Sequence, residues 1–372
     1  MKSTQNNMQT ISQGNTTHLN RLGWSPFFQD QLGNEDIASG IARVIGVRRN
    51  SLVVSQGASE MLVTVSGSIT NTREAAYPAV GDWVLLQDSF IITVLARQNA
   101  LVRKESGRKK HKENDRLGQD QVIAANLDRV FIVCGLDRDF NLRRIERYLT
   151  LVYNCGISPE IILTKADLHQ NPGECLDEVE TVACGVPVYL VSARDDEGVL
   201  ALKSSLPAGE TAALIGSSGA GKSTLINRLY GKDIQTTGSV SENLGKGKHT
   251  TTNRDLIILP TGGMLIDNPG IREVALAAGD ANSLSAFPDI EKVARSCRYL
   301  DCTHTHEPGC QVLIAVSNGE LNDERLKSYQ KIRDELRYIS DREVKSAARV
   351  ERERWKGVAQ KIKTINKKKY HR

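Results

Sequence analysis

The chain has 372 residues and a formal net charge of +5, with 25% charged and only 5% aromatic residues. That length can form two or three domains with separate cores, and no apolar run is long enough to span a bilayer. Seven cysteines, in a chain whose first residues lack the basic, apolar and small-residue regions of a signal peptide, point away from a secreted disulfide framework and towards a cytoplasmic protein.

Residues 1–36 are rich in Asn, Gln and Thr and are read as a flexible N-terminal extension. Residues 37–102 read as β structure. Ile41–Val47, Leu52–Val54, Met61–Val65, Trp83–Leu86 and Phe90–Leu95 are β-branched or aromatic runs separated by Gly, Ser, Asn and Asp turns. Short strands at this density suit an OB-fold barrel, with an SH3-like barrel or an irregular β cap as the alternative. Residues 103–127 begin with the basic stretch Arg103–Lys112 and are read as a linker, either a solvated loop or an RNA-contacting one.

From 128 to 275 the texture becomes that of an α/β domain. Val130–Cys134, Ile161–Leu163, Val188–Val191, Ala212–Ile215, Leu256–Leu259 and Met264–Ile266 are the expected strands. Leu142–Asn154, Cys175–Ala183 and Lys222–Tyr230 are the clearest helices. Residues 276–372 hold a short helical region, a cysteine–histidine cluster and a long charged helix from about 322. From Arg325 to Arg372 there are 17 Lys and Arg against 6 Asp and Glu, so the preceding 324 residues carry about −6 beneath the total of +5. A mildly acidic body with a basic tail suits a polyanionic partner, although a solvated helix is the plainer reading.

The strongest motif is Gly216-Ser217-Ser218-Gly219-Ala220-Gly221-Lys222-Ser223-Thr224, between an apolar strand and a helix. Backbone N–H groups of such a loop converge on phosphate oxygens, Lys222 reaches the β and γ phosphates, and Ser223 ligates Mg²⁺. Thr164-Lys165-Ala166-Asp167 closes another apolar strand. A carboxylate at Asp167 can accept from the ring N–H and the exocyclic amine of guanine together. Adenine would leave it unpaired at a large cost. The aliphatic stem of Lys165 would lie along the base. Thr164 stands where asparagine is usual and can still tie the loop down by a hydrogen bond. Ser192 and Ala193, after the next strand, would present backbone N–H to the guanine carbonyl.

Asp267 ends the strand Met264–Ile266 and can hold Mg²⁺, while Gly270 can bring its N–H to the γ-phosphate. Between the motifs, Gly245–Thr252 suits a mobile switch whose threonine completes Mg²⁺ coordination. Three threonines compete there, and Thr251 is taken as the candidate. Ile271 occupies the position where Ras-type enzymes keep a water-orienting glutamine, so slow basal hydrolysis is expected. His249 is the candidate catalytic residue, against the plainer reading of a solvent-facing loop histidine. The order of the motifs is base, phosphate, Mg²⁺ switch, which is that of a circularly permuted GTPase.

Cys297-x(4)-Cys302-x-His304-x(5)-Cys310 supplies three thiolates and an imidazole, the donor set of a closed structural Zn²⁺ site. His306 is the alternative to His304. The other cysteines are scattered and read as small apolar residues.

The β barrel, the permuted motif order and the C-x(4)-C-x-H-x(5)-C knuckle together resemble the RsgA (YjeQ) family of ribosome-associated GTPases. Leu22-Gly23-Trp24, Gly81–Val84, Gln121–Asn126 and Glu307–Cys310 are similar to that family as well. The resemblance implies an OB-fold, a permuted α/β P-loop GTPase domain and a C-terminal α-helical zinc-binding domain. It implies GTP and GDP with Mg²⁺ as ligands and one structural Zn²⁺. The implied activity is GTP hydrolysis late in maturation of the small ribosomal subunit, whose rRNA is the partner and which stimulates turnover. A monomer without membrane contact is expected. A transporter-type ATPase is excluded by Asn268 after Asp267 and by the lack of a Leu-Ser-Gly-Gly-Gln-like signature. The alternative is an RNA-binding assembly scaffold with little turnover. If His249 positions the attacking water, His249→Ala lowers the single-turnover rate of GTP hydrolysis about a hundredfold. Rates unchanged from wild type both with and without the partner would leave it a surface histidine.

Overall fold

The computed structural model describes residues 13–33, 40–67, 69, 77–103, 121–183, 185–192, 196–235, 254–267 and 286–344. They fall into two compact units, one within 1–102 and 121–274, the other within 103–120 and 275–372. No helix of the described residues is long and apolar enough to cross a membrane.

In the first unit, strands β1 (Gly40–Val47), β2 (Leu52–Ser55), β3 (Glu60–Val65), β4 (Trp83–Gln87) and β5 (Phe90–Val94) form the barrel. Neighbours run β1-β2-β3-β5-β4, and β4 pairs back onto β1 through Ile41↔Leu85 and Ala42↔Val84, which closes it. Ala42, Val44, Leu52, Val54, Val84 and Ile91 fill the interior. Strand β1 is buried on both faces, which is why its sequence is nearly continuously apolar instead of alternating. Closure, with β3 and β5 parallel, is the OB-type arrangement.

The nucleotide-type sheet follows. After the pair β6 (Ala100–Arg103) and β7 (Gln121–Ala125) come β8 (Arg129–Gly135), β9 (Ser158–Thr164), β10 (Val188–Leu190), β11 (Thr211–Ile215), β12 (Arg254–Ile258) and β13 (Met264–Asp267). Their order is β10-β9-β8-β11-β13-β12, parallel up to β13, with β12 antiparallel. Strand β12 also pairs with β1, so barrel and α/β strands make one eleven-stranded sheet. Helices α3 (Leu142–Asn154), α4 (Pro172–Ala183), α5 (Glu197–Ser205) and α6 (Lys222–Tyr230) connect the strands. Leu202, Leu206, Leu225 and Leu229 pack with Phe131, Leu214 and Leu265 in one core.

Two stretches differ from the sequence reading. Residues 13–33, placed in a flexible extension, hold α1 (Gln13–Arg21) and α2 (Pro26–Gln29), and Leu19, Leu22, Trp24 and Phe28 are buried. Trp24 meets Trp83 edge-on at 4.7 Å, so burial of a few large side chains fixes a segment that is otherwise polar. Residues 121–125, assigned to the linker, form β7, which pairs with β6 in a separate two-stranded sheet.

The joint is held by Arg43, only 2% exposed. It donates to the carbonyls of Leu22, Gly81 (3.2 Å) and Asn126 (3.1 Å). Burial lowers its pKa to about 10, against the raising pull of Asp128 and Asp82.

In the second unit, α7 (Pro288–Ala294), α8 (Gln311–Ser317) and α9 (Asp323–Val344) enclose Phe287, Ile290, Val312, Leu326, Tyr329 and Leu336. The basic tail beyond 344 lies outside the described residues. Replacing Arg43 by Leu leaves three buried carbonyls short of a donor. It should cost about 3 kcal/mol in urea unfolding; a loss of no more than about 0.5 kcal/mol, the level of a surface substitution, would show the joint is held otherwise.

Candidate nucleotide and metal sites

The parallel strands β10, β9, β11 and β13 all end at one edge of the sheet, and each predicted motif begins where its strand ends, the usual ligand edge of an open α/β sheet. β11 leads into the phosphate loop and α6. Gly216 has φ +150°, and a Cβ there would stand 2.2 Å from the Val133 carbonyl, so the loop can lie on β8 only as glycine. α6 starts from Gly221 in the left-handed region, with no side-chain cap and no acidic residue in its first turn. Its N-terminal N–H groups and positive end are thus left for an anion. Lys222 Nζ folds back over the loop and donates to the carbonyls of Gly216 (2.8 Å) and Ser217 (2.6 Å). Burial holds this ammonium below the usual lysine value, while Asp267 and Asp139 pull it upward.

Asp267 is itself buried, 7% exposed. Burial raises its carboxyl, Lys222 lowers it, and Asp255 raises it further. A cationic lysine and a desolvated carboxylate at one strand end suit a phosphate and its counter-cation.

The base-reading segment is tied to the phosphate loop directly. Thr164 Oγ1 donates to the Ala220 carbonyl at 2.5 Å, and Thr164 is buried. Lys165 takes a left-handed conformation (φ +61°) that turns the chain into the short 3-10 turn Ala166–Leu168 carrying Asp167. Ala166 N–H donates to the Val191 carbonyl at 3.3 Å, which brings Ser192 beside the same loop. A cavity of about 600 Å³ opens alongside α6 between Asp196, Leu200, Lys203, Asn227 and Arg228, sharing only Thr224 with the predicted loops. Ala193, Gly270, Ile271, His249, Thr251 and the switch 245–252 lie outside the described residues.

Sequence reasoning missed Asp137 and Asp139, in the loop after β8. Asp137 pairs with Lys165 Nζ at 2.5 Å. Burial opposes ionisation of Asp137, but the Lys165 hydrogen bond, the backbone N–H of Asp139 and the Lys165 charge together hold the carboxyl below the usual range. Asp139 accepts from the Ser217 hydroxyl and from Arg144. Their only signal was an Asp-x-Asp pattern just past an apolar strand.

In the second unit the thiols of Cys297, Cys302 and Cys310 and a ring nitrogen of His304 all lie within 4.8 Å of one another. Cys297 Sγ is 3.9 Å from Cys310 Sγ, and His304 Nδ1 is 3.6 Å and 3.4 Å from these two sulfurs. Metal bonds of about 2.3 Å to sulfur and 2.0 Å to nitrogen give tetrahedral edges of about this length. The four residues fit a metal ion. His306 is exposed and pairs with Thr305, outside this group. Cys310 also accepts from Leu313 N–H as the N-cap of α8. Glu307 accepts from the N–H groups of Thr303, Thr305 and His306, while Gln330 and Arg333 of α9 donate to the carbonyls of His304 and Thr303. Such contacts fix the ligand-bearing loop.

The predicted base-reading and phosphate loops follow the parallel strands β9 and β11 on either side of β8, with the base loop earlier in the chain, the arrangement of a circularly permuted P-loop GTPase fold. A family model described as RsgA GTPase matches residues 94–277, and a second, described as 50S ribosome-binding GTPase, matches 211–348. The chain is 43% identical over 316 residues to small ribosomal subunit biogenesis GTPase RsgA 2 of Vibrio parahaemolyticus, covering 84% of each. It is 41% identical over 363 residues to small ribosomal subunit biogenesis GTPase RsgA of Opitutus terrae, covering 92% of this chain and 96% of that one. Among solved structures, YjeQ from Thermotoga maritima superposes with a TM-score of 0.59 at 25% identity, covering 80% of this chain and 98% of that chain. YloQ, a circularly permuted GTPase, shares the fold with a TM-score of 0.57 at 22% identity, covering 84% of this chain and 98% of that one. The chain belongs to the RsgA GTPase family.

Thr164→Val removes the link between the base and phosphate loops while keeping the side chain's shape. Affinity for fluorescent GDP should fall about tenfold, with Thr164→Ser near wild type. Unchanged binding by the valine variant would make the link dispensable.

Proposed function

We propose that this chain is a GTP-hydrolysing switch that acts on the small ribosomal subunit during its maturation and is stimulated by it. The observation that carries this reading is the Thr164–Ala220 hydrogen bond, which joins a guanine-reading loop to a phosphate loop in a chain of this family. Its relatives in Vibrio parahaemolyticus and Opitutus terrae are named small ribosomal subunit biogenesis GTPases.

In this reading Asp167 accepts two N–H groups from the guanine edge, with Lys165 along the base and Ser192 and Ala193 beside the guanine carbonyl. Lys222 exchanges the Gly216 and Ser217 carbonyls for phosphate oxygens. The N–H groups from Gly216 to Thr224 close around the phosphate chain. Ser223 and Asp267 hold Mg²⁺, with Thr251 and Gly270 completing the site from the switches. Bound Mg²⁺ neutralises charge that builds on the phosphates. Cys297, Cys302, His304 and Cys310 hold a structural Zn²⁺ with no position open for chemistry. The positive surplus of the C-terminal segment suits rRNA, and its binding should weaken steeply with salt. We place the protein in the cytoplasm, as a monomer, with domain limits near residues 102, 128 and 275.

GTP turnover measured with and without small ribosomal subunits tests the reading. Turnover should be slow alone and rise at least about tenfold with subunits, well below the roughly thousandfold or more that completing a GTPase site in trans can deliver. Equal turnover in both would overturn it in favour of an RNA-binding assembly scaffold.

A further inference from the structure

Three residues stand in a row across the joint between barrel and nucleotide sheet. Gly46 of β1 lies opposite Asp255 of β12, and Asp255 lies opposite Asp267 of β13. Residues directly opposed in an antiparallel ladder place their side chains on one face about 5 Å apart, and like charges so placed repel. Two carboxylates therefore face each other at the end of β13. Arg48, in the turn that leaves β1, meets Asp255 Oδ1 at 2.5 Å. A Cβ on Gly46 would stand 2.7 Å from Asp255 Oδ1 and 3.0 Å from Arg48 Nη1, so a side chain there would push against the ends of the paired side chains.

We propose that Arg48 and Asp255 are positioning residues of the magnesium site: through this ion pair the barrel sets the negative charge beside Asp267, and with it the grip of the nucleotide site on Mg²⁺. The inference rests on the reading of Asp267 as a magnesium ligand. The pair is too exposed to matter much for folding, with side chains 35% and 40% accessible. Its effect is instead directed at Asp267, which is buried and has Asp255 as its registered neighbour.

Charge and scaffolding make opposite demands on the variants. Neutralising Arg48 leaves Asp255 unbalanced and adds negative charge beside the cation site. Neutralising Asp255 removes that charge. If the pair only held β12 against β1, breaking it from either side would loosen the strand alike.

Release of fluorescent GDP, followed while Mg²⁺ is titrated, reads the site without turnover. Arg48→Gln should lower the half-saturating Mg²⁺ concentration about two- to fivefold, and Asp255→Asn should raise it by a similar factor. Shifts in the same direction, or no shift in either, overturn the proposal. Asp267→Asn is run alongside and should abolish the Mg²⁺ dependence. If the dependence survives that change, the assignment of Asp267 fails first, and the inference with it.

Discussion

Arg43 stands where the N-terminal turn, the barrel and the nucleotide-binding strands meet, and its guanidinium donates to carbonyls of all three, sharing that of Gly81 with the Asn126 amide. Taking a guanidinium out of water is costly unless its fork is filled, and here the carbonyls fill it while Asp82 and Asp128 supply the opposing charge. Asp82 is in turn fixed by Arg97 and by the N–H of Ala79, both at 2.7 Å. The arrangement works only with every member in place, because a half-satisfied buried network is worse than none. The barrel is therefore built into the first unit as a joint rather than hung on it as an appendage.

Given that joint, the reversed motif order is easily accommodated. What the nucleotide site needs is a spatial order of strand ends, and the sheet supplies it: β9 with the base loop, β8 beside it, then β11 with the phosphate loop and β13 with Asp267. Chain order enters only through the connections. Because Thr164 reaches the Ala220 carbonyl, the two recognition loops are coupled by one short hydrogen bond although 56 positions apart in the chain. Asp137 and Asp139, in the loop that follows the strand between them, hold Lys165 and Ser217 from the other side. The recognition loops are thus braced before any ligand is considered.

Much of this was legible because local chemistry and tertiary role agree. Leu142–Asn154 and Lys222–Tyr230 are helices over the expected bounds, since one has a clear apolar stripe and an Asn141 cap and the other must start at the phosphate loop. The knuckle ligands were readable because three cysteines and a histidine so close together have few other uses. The missed parts depend on partners far away in sequence. Arg43 in an apolar strand gives no sign that it is buried, since its acceptors lie on Leu22, Gly81 and Asn126. Leu19, Leu22, Trp24 and Phe28 are too few to give a period, yet large enough to anchor residues 13–33. Helix α5 went unread because Glu197–Ser205 is short and weakly amphipathic.

The pairing of β12 with β1 belongs to that unreadable class, and it changes what the permutation means. Without it, β12 would be the free edge of the nucleotide sheet, with a row of unpaired backbone groups. The barrel covers that edge through the registered pairs Gly46↔Asp255 and Val47↔Arg254. β12 is also the strand that emerges from the stretch holding the predicted switch, and it lies against the strand ending in Asp267. One strand therefore belongs to the barrel's edge and to the cation site together. Motif order alone suggests that the nucleotide signal leaves through the residues after Gly270. The sheet offers a second and shorter route, from Asp267 across β12 to the barrel. In the proposed reading, a barrel that grips its partner shares one sheet with the strand that ends in Asp267, so that route crosses only β12.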